Sequence, residues 1–165
     1  RIGMSTIKGL AVAANLPLCG VSTLDALAQN VSGDQLICAV LDARKKEVYC
    51  GFYRRDEDGT LRNVAPYRVL APEQLAAEIQ EPVLFVGDGA LAYGSLWQEL
   101  LGPRFMRVSA HQHDPPAAAI GLLAAEQLLL GEIMDVSTVV PLYVRASDAE
   151  LSLGAKKDLG SKQSC

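Results

Sequence analysis

Residues 35–55 read "QLICAVLDA", then "RKK", then "EVYCGFYRR". Neither long run alternates between apolar and polar residues, so a strand built from either is apolar on both faces and needs cover on both sides. The three basic residues between them have the length and polarity of a hairpin tip. Facing Leu41 with Val48 sets Ala39 opposite Cys50 and Ile37 opposite Phe52, with Val40 beside Tyr49 and Leu36 beside Tyr53 on the other face. This register predicts a central antiparallel pair. It also sends Cys38 and Cys50 to opposite faces of the sheet, so that no disulfide joins them.

The flanking segments decide what surrounds that pair. The turn "DEDGT" leads into "LRNVAPYRVL", a third strand held to the edge of the sheet because Pro66 cannot donate to a ladder. "PEQLAAEIQ" is then a helix with proline in its first turn, "PVLFVGDG" a strand, "ALAYGSLWQELLG" a helix and "RFMRVS" a strand. "DPPAAAIGLLAAEQLLLG" reads as a buried helix capped by Asp114 and stopped by Gly131. Upstream, "PLCGV" is a short strand, and Ser22 caps the helix "TLDALAQNV" with Asp25 completing a capping-box-like start. Three antiparallel strands followed by two right-handed crossover units give an α/β fold with one mixed five-stranded sheet, order 3-2-1-4-5, flanked by helices. That is the ribonuclease H-like arrangement, which is also the repeating lobe of actin-like ATPases. "VVPLYVR" is a last extended segment, and the polar stretch "AKKDLGSKQSC" is expected to be loosely ordered.

The opening helix, "RIGMSTIKGLAVAAN", carries almost no charge. At roughly 100° per residue, Gly3, Met4, Ile7, Leu10, Ala11 and Ala14 share one face. Ile2, Thr6, Gly9 and Ala13 fall nearly opposite, and Arg1 and Lys8 occupy a narrow strip between. Two uncharged faces predict a helix covered on both sides. The bulky Ile7/Leu10 face is expected to turn inward, and the small Gly9/Ala13 side outward to a partner helix.

Chemistry is sparse. The net charge of −4 excludes a chain-wide electrostatic surface for nucleic acid, so any RNA contact is local or made by a partner. The four cysteines have no metal-ligand spacing and read as reduced thiols of a cytoplasmic protein. Asp42 and Asp88 end two neighbouring parallel strands at the edge where open α/β sheets place ligands. Two carboxylates there could hold Mg²⁺ for phosphoryl or nuclease chemistry. The alternative, which the lack of further carboxylates favours, is that Asp42 braces the hairpin tip and Asp88 shapes the "GDG" turn. Arg44, Lys45 and Lys46 form a tip without glycine, which cannot wrap a phosphate with its backbone but could meet one through side chains. His111 and His113 are too few for a metal site. No Walker loop, dinucleotide fingerprint or nucleophile elbow is present, and Tyr49, Tyr53, Tyr93 and Trp97 are too scattered for a base-stacking platform.

"RIGMSTIKGLAVAANLPLCGVSTLDALA", "LDARKKEVYCGFY", "VGDGA" and "PLYVR" together resemble the TsaB (YeaZ) family, over about residues 1–150. The resemblance implies an actin-like fold and a non-catalytic subunit of the machinery that makes N6-threonylcarbamoyladenosine at position 37 of tRNA. It implies pairing with a TsaD-like catalytic subunit, which carries the ATP and metal, a TsaE-like ATPase as a further partner, homodimers in isolation, and only indirect contact with tRNA. It implies no cofactor, catalytic residue or metal ligand on this chain, and no apolar run in the sequence is long enough to span a membrane. The partner-binding residues it implies are Ile2, Ser5, Thr6, Gly9 and Ala13; the sheet edge that holds Asp42, Arg44 and Asp88 then reads as a vestigial ligand edge. Family members begin with a first lobe whose glycine-rich segment runs into the opening helix, and that lobe is expected to be missing here. Residues 1–33 are then the helical remainder of the first lobe, 34–135 the second lobe, 136–150 a return segment and 151–165 a polar tail. The alternatives are a glycoprotease-like metallopeptidase, a label given to relatives, and an actin-like ATPase or phosphotransferase using Asp42 and Asp88.

Overall fold

The computed structural model describes residues 2–141, so Arg1, Cys165, most of the expected last extended segment and the polar tail lie outside the described residues. At its centre is a six-stranded mixed sheet: β1 (Leu36–Arg44), β2 (Glu47–Arg55), β3 (Leu61–Asn63), β4 (Arg68–Leu70), β5 (Val83–Val86) and β6 (Phe105–Arg107). The order is β3-β2-β1-β5-β6, with β4 also paired to β2. β1, β5 and β6 run parallel, and β2 is antiparallel to β1, β3 and β4. This is the expected order, with the third strand in two pieces. The gap holds Pro66, which has no N–H to give, and Val64 is the last residue before it to bond β2, through Phe52 O at 2.8 Å.

The helices are α1 (Ile2–Ala14), α2 (Thr23–Gln29), α3 (Pro72–Glu78), α4 (Asp88–Ala92), α5 (Gly94–Leu101) and α6 (Ala117–Leu129). As the two-sided apolar runs require, β1 and β2 are covered on both faces. On one, Cys38, Val40, Cys50 and Phe52 pack with Phe85 of β5 against Leu75 of α3 and Trp97 of α5. On the other, Ile37, Ala39 and Tyr53 pack against Leu24, Leu27 and Ala28 of α2. Trp97 is fully buried, its ring centroid 4.7 Å from that of Phe85, and its indole N–H donates to Pro72 O at 2.9 Å.

The hairpin register differs from expectation by one residue. Ala39 faces Gly51, Val40 faces Cys50 and Leu41 faces Tyr49. The cause is an irregularity between Asp42 and Arg44, followed by a two-residue tip, Lys45 and Lys46, with φ of 53° and 60°. A tip with both φ positive matches the twist of the strands, and the extra residue in β1 slips the pairing. A slip of one exchanges faces. Cys38 and Cys50 therefore share a face, contrary to expectation, yet both are free thiols.

Other expected elements are corrected. "PLCGV" supplies only a single bridge, Leu18 with Met134. The helix expected over "ALAYGSLWQELLG" begins earlier, at Asp88, and breaks at Tyr93 (φ −113°, ψ 10°) into α4 and α5. Asp114 does not cap α6; Pro116 holds the cap position, with no side-chain cap. Nor is α6 buried: Ala119 is its one buried residue, while Leu122 is 68% and Leu129 89% exposed. It lies beside α2 rather than on the sheet, so most of its apolar surface finds no cover among the described residues.

Candidate functional site

The carboxyl ends of β1 and β5 meet at one edge, as expected, and bring Asp42 and Asp88 together. Gly87 makes this possible. Its φ is 113°, and a Cβ there would lie 2.1 Å from Val40 O, so only glycine lets β5 turn into α4 this close to β1. The Asp88 carboxylate then accepts the Asp42 N–H at 3.0 Å, and the Asp42 carboxylate accepts the Arg44 N–H at 2.9 Å. The Arg44 guanidinium lies 3.4 Å from Asp42 and is largely exposed. Tyr93 donates to Asp42 at 3.5 Å, and partial burial together with the Asp42 charge raises its hydroxyl above the usual tyrosine range. Asp42 thus braces the hairpin tip, as the alternative has it, whereas Asp88 holds the end of β1 rather than its own turn. Among the described residues no group of three or more His, Cys, Asp or Glu is gathered as a metal site.

The two histidines separate. His111 is exposed, whereas His113 is buried behind the same turn, its Nδ1 2.9 Å from Gly87 O and 3.2 Å from Gly87 N. Its Nε2 is buried and has no hydrogen-bond partner.

On α1, Ile2, Ser5, Thr6, Gly9 and Ala13 are all exposed. A Cβ at Gly9 would meet nothing within 4 Å. The inward face is not the expected one. Ile7 and Leu10 are 51% and 59% exposed, and Ala11 is the buried residue of the helix. Lys8 Nζ donates to Val139 O at 3.2 Å, and Met4 lines a cavity of about 640 Å³ with Met134, Val139 and Val140. The helix meets the segment after α6 at Met4 and Lys8, and its Gly9, Val12 and Ala13 side forms one wall of a shallow cavity of about 410 Å³ whose other wall is Val136 and Ser137. It makes no broad contact with the sheet.

One cluster escaped the sequence reading. Asp25, expected as part of a capping box, accepts hydroxyl hydrogen bonds from Tyr53 (2.7 Å) and Tyr67 (2.5 Å) on the same oxygen. Ser22 alone caps α2, accepting from Leu24 N at 3.2 Å. The signal was Gly51: a Cβ there would lie 2.8 Å from the Tyr53 hydroxyl and 3.1 Å from the Tyr67 ring, so its absence lets both rings converge on Asp25.

Comparison with known proteins comes from three directions. The family model described as TsaD, tRNA N6-adenosine threonylcarbamoyltransferase, matches residues 1–153. The tRNA threonylcarbamoyladenosine biosynthesis protein TsaB of Bacillus subtilis (strain 168) is 33% identical over 154 residues, which are 91% of this chain and 65% of that protein. TsaB of Escherichia coli (strain K12) is 31% identical over 163 residues, 95% of this chain and 69% of that protein. Among solved structures, a Pseudomonas aeruginosa protein described as similar to peptidase YeaZ superposes with a TM-score of 0.71 at 30% identity, covering 88% of this chain and 67% of its own. YeaZ from the same organism gives 0.67 at 27% identity. The chain spans about two thirds of the length of these relatives. The family model carries the TsaD description while the individual relatives are TsaB; the relatives match protein to protein over most of this chain and identify the branch.

Proposed function

Because the chain belongs to the TsaB (YeaZ) family, with its actin-like, ribonuclease H-like fold, we propose that it is a non-catalytic scaffold subunit that pairs with a TsaD-like enzyme for N6-threonylcarbamoylation of tRNA adenosine. The observation that carries this reading is the exposed face of α1. Ile2, Ser5, Thr6, Gly9 and Ala13 present small and apolar groups on one exposed face of a helix whose one buried residue is Ala11, and Gly9 and Ala13 open onto a shallow cavity edged by Val136 and Ser137. Small residues let a second helix approach closely, and removing Ile2 and its neighbours from water supplies the driving force. The same face serves a TsaD-like partner or, in isolation, a second copy. ATP and metal belong to the partner subunit, a TsaE-like ATPase joins the pair, and tRNA is met indirectly. The bracing roles of Asp42 and Asp88 favour this reading over an ATPase or a peptidase.

The test is reconstitution of tRNA modification with TsaC, TsaD and TsaE, with and without this chain, beside sedimentation analysis of its pairing with TsaD. Modification is expected to require the chain. Gly9→Leu is expected to weaken pairing by at least about tenfold, or ~1.4 kcal/mol, by holding the helices apart. Full modification without the chain would defeat the scaffold role; unchanged pairing of Gly9→Leu would defeat the placement of the interface.

A further inference from the structure

A cavity of about 730 Å³ opens at the outer end of the sheet, where β6 finishes and α5 begins. Gly94, Ser95, Gln98, Phe105, Arg107 and Ser109 are among its lining residues, and no carboxylate is. The Arg107 guanidinium lies over Gly94: a Cβ there would sit 3.3 Å from Nη1, so the missing side chain keeps this place open for the arginine.

Arg107 is set apart by what it lacks. Arg44, Arg54, Arg62 and Arg68 each meet a carboxylate. Arg55 donates to Gly59 O, Gln29 O and Val31 O, and Arg104 donates to Ile79 O. Among the described residues only the Arg107 guanidinium is met by neither a carboxylate nor a carbonyl. An arginine facing a cavity with hydroxyl and amide groups and no acid offers a planar fork of donors to an oxyanion.

We propose that this cavity binds a phosphate group, with Arg107 as the bidentate donor and the side chains of Ser95, Ser109 and Gln98 as secondary donors. In a chain of net charge −4 such recognition has to be local, and this is the described place where an unneutralised guanidinium faces a cavity free of acidic groups. The same chemistry would receive the phosphodiester of an RNA strand or a free phosphate. The site does not depend on the scaffold reading, and its test needs no partner subunit.

The experiment is a ¹H–¹⁵N NMR titration of the full chain with inorganic phosphate and, separately, with a short RNA lacking terminal phosphates. Saturable shifts at the Ser95 and Ser109 amides are expected in the wild type and in the control Arg54→Gln. In Arg107→Gln, binding is expected to weaken at least tenfold, with partial retention in Arg107→Lys. A response to phosphate but not RNA assigns a free phosphate, and a response to RNA assigns the diester; either supports the site. No saturable shift with either probe, or undiminished binding in Arg107→Gln, would overturn it.

Discussion

Asp25 shows how far one side chain's role depends on its surroundings. At the third position of a short helix it has the chemistry of a cap, yet its carboxylate instead receives two tyrosine hydroxyls, joining α2 to β2 and to the residue before β4. Tyr53 is only 1% exposed. Removing the acceptor leaves the Tyr53 and Tyr67 hydroxyls with one another but without the charged group that receives both, and a buried polar group that loses its acceptor costs more than a hydrogen bond gains. Asp25→Ala should therefore lower stability by about 2–4 kcal/mol in urea unfolding, whereas Tyr53→Phe, which removes donor and bond together, should lose only about 1 kcal/mol. Equal and small losses of a few tenths for both would show that the cluster contributes little.

Among elements, the β1–β2 hairpin carries the clearest internal conflict. Arg44, Lys45 and Lys46 hold φ of 63°, 53° and 60°, a region that non-glycine residues enter at a cost. The tip is short because it follows the twist of two long strands, and tertiary packing of those strands outweighs the local preference. Lys46→Gly should raise stability by about 0.5–1 kcal/mol, read as a higher urea midpoint at constant slope. A fall would mean that the lysine side chain makes a contribution larger than its backbone strain. α1 is the opposite case: its backbone is unstrained, but only Ala11 is buried, so its amides should exchange faster than those of β1, whose interior is fully covered.

At the scale of the whole molecule, burial of ionisable groups sets a limit at high pH. Burial is the leading cause for all four groups: it raises Cys50 from 9.0 to about 11 and holds Cys38 well above the usual thiol value. With the Asp25 carboxylate it also raises Tyr53 and Tyr67 above the ordinary 10.0. Each folded-state value exceeds the unfolded one, so the unfolded chain releases protons first and gains stability as pH rises. The contribution of these groups is complete below about pH 9 and declines through the folded values. Urea midpoints should be level from pH 7 to 9 and fall above it, with a shallower fall between pH 9 and 11 in Cys50→Ala. A midpoint that rises across that interval would contradict the burial of these thiols. The same compactness ends at α1 and α6, where Ile2, Leu122, Leu129 and Leu130 remain mostly exposed. Apolar surface of that extent favours association.

The strand order, the two-sided cover of β1 and β2 and the meeting of Asp42 with Asp88 were legible in the chain alone. They follow from runs of apolar residues, from turn residues and from the handedness of crossovers, all of which are local or topological. The hairpin register was not legible, because one irregularity at Asp42–Arg44 depends on how the tip twists. The Asp25 cluster and the Arg107 cavity join residues 42 and 13 positions apart, and only packing brings them together. The burial of α1 and α6 was misread for a related reason: an apolar helix records that it needs cover, and which face receives it depends on neighbours that hydrophobic periodicity does not name.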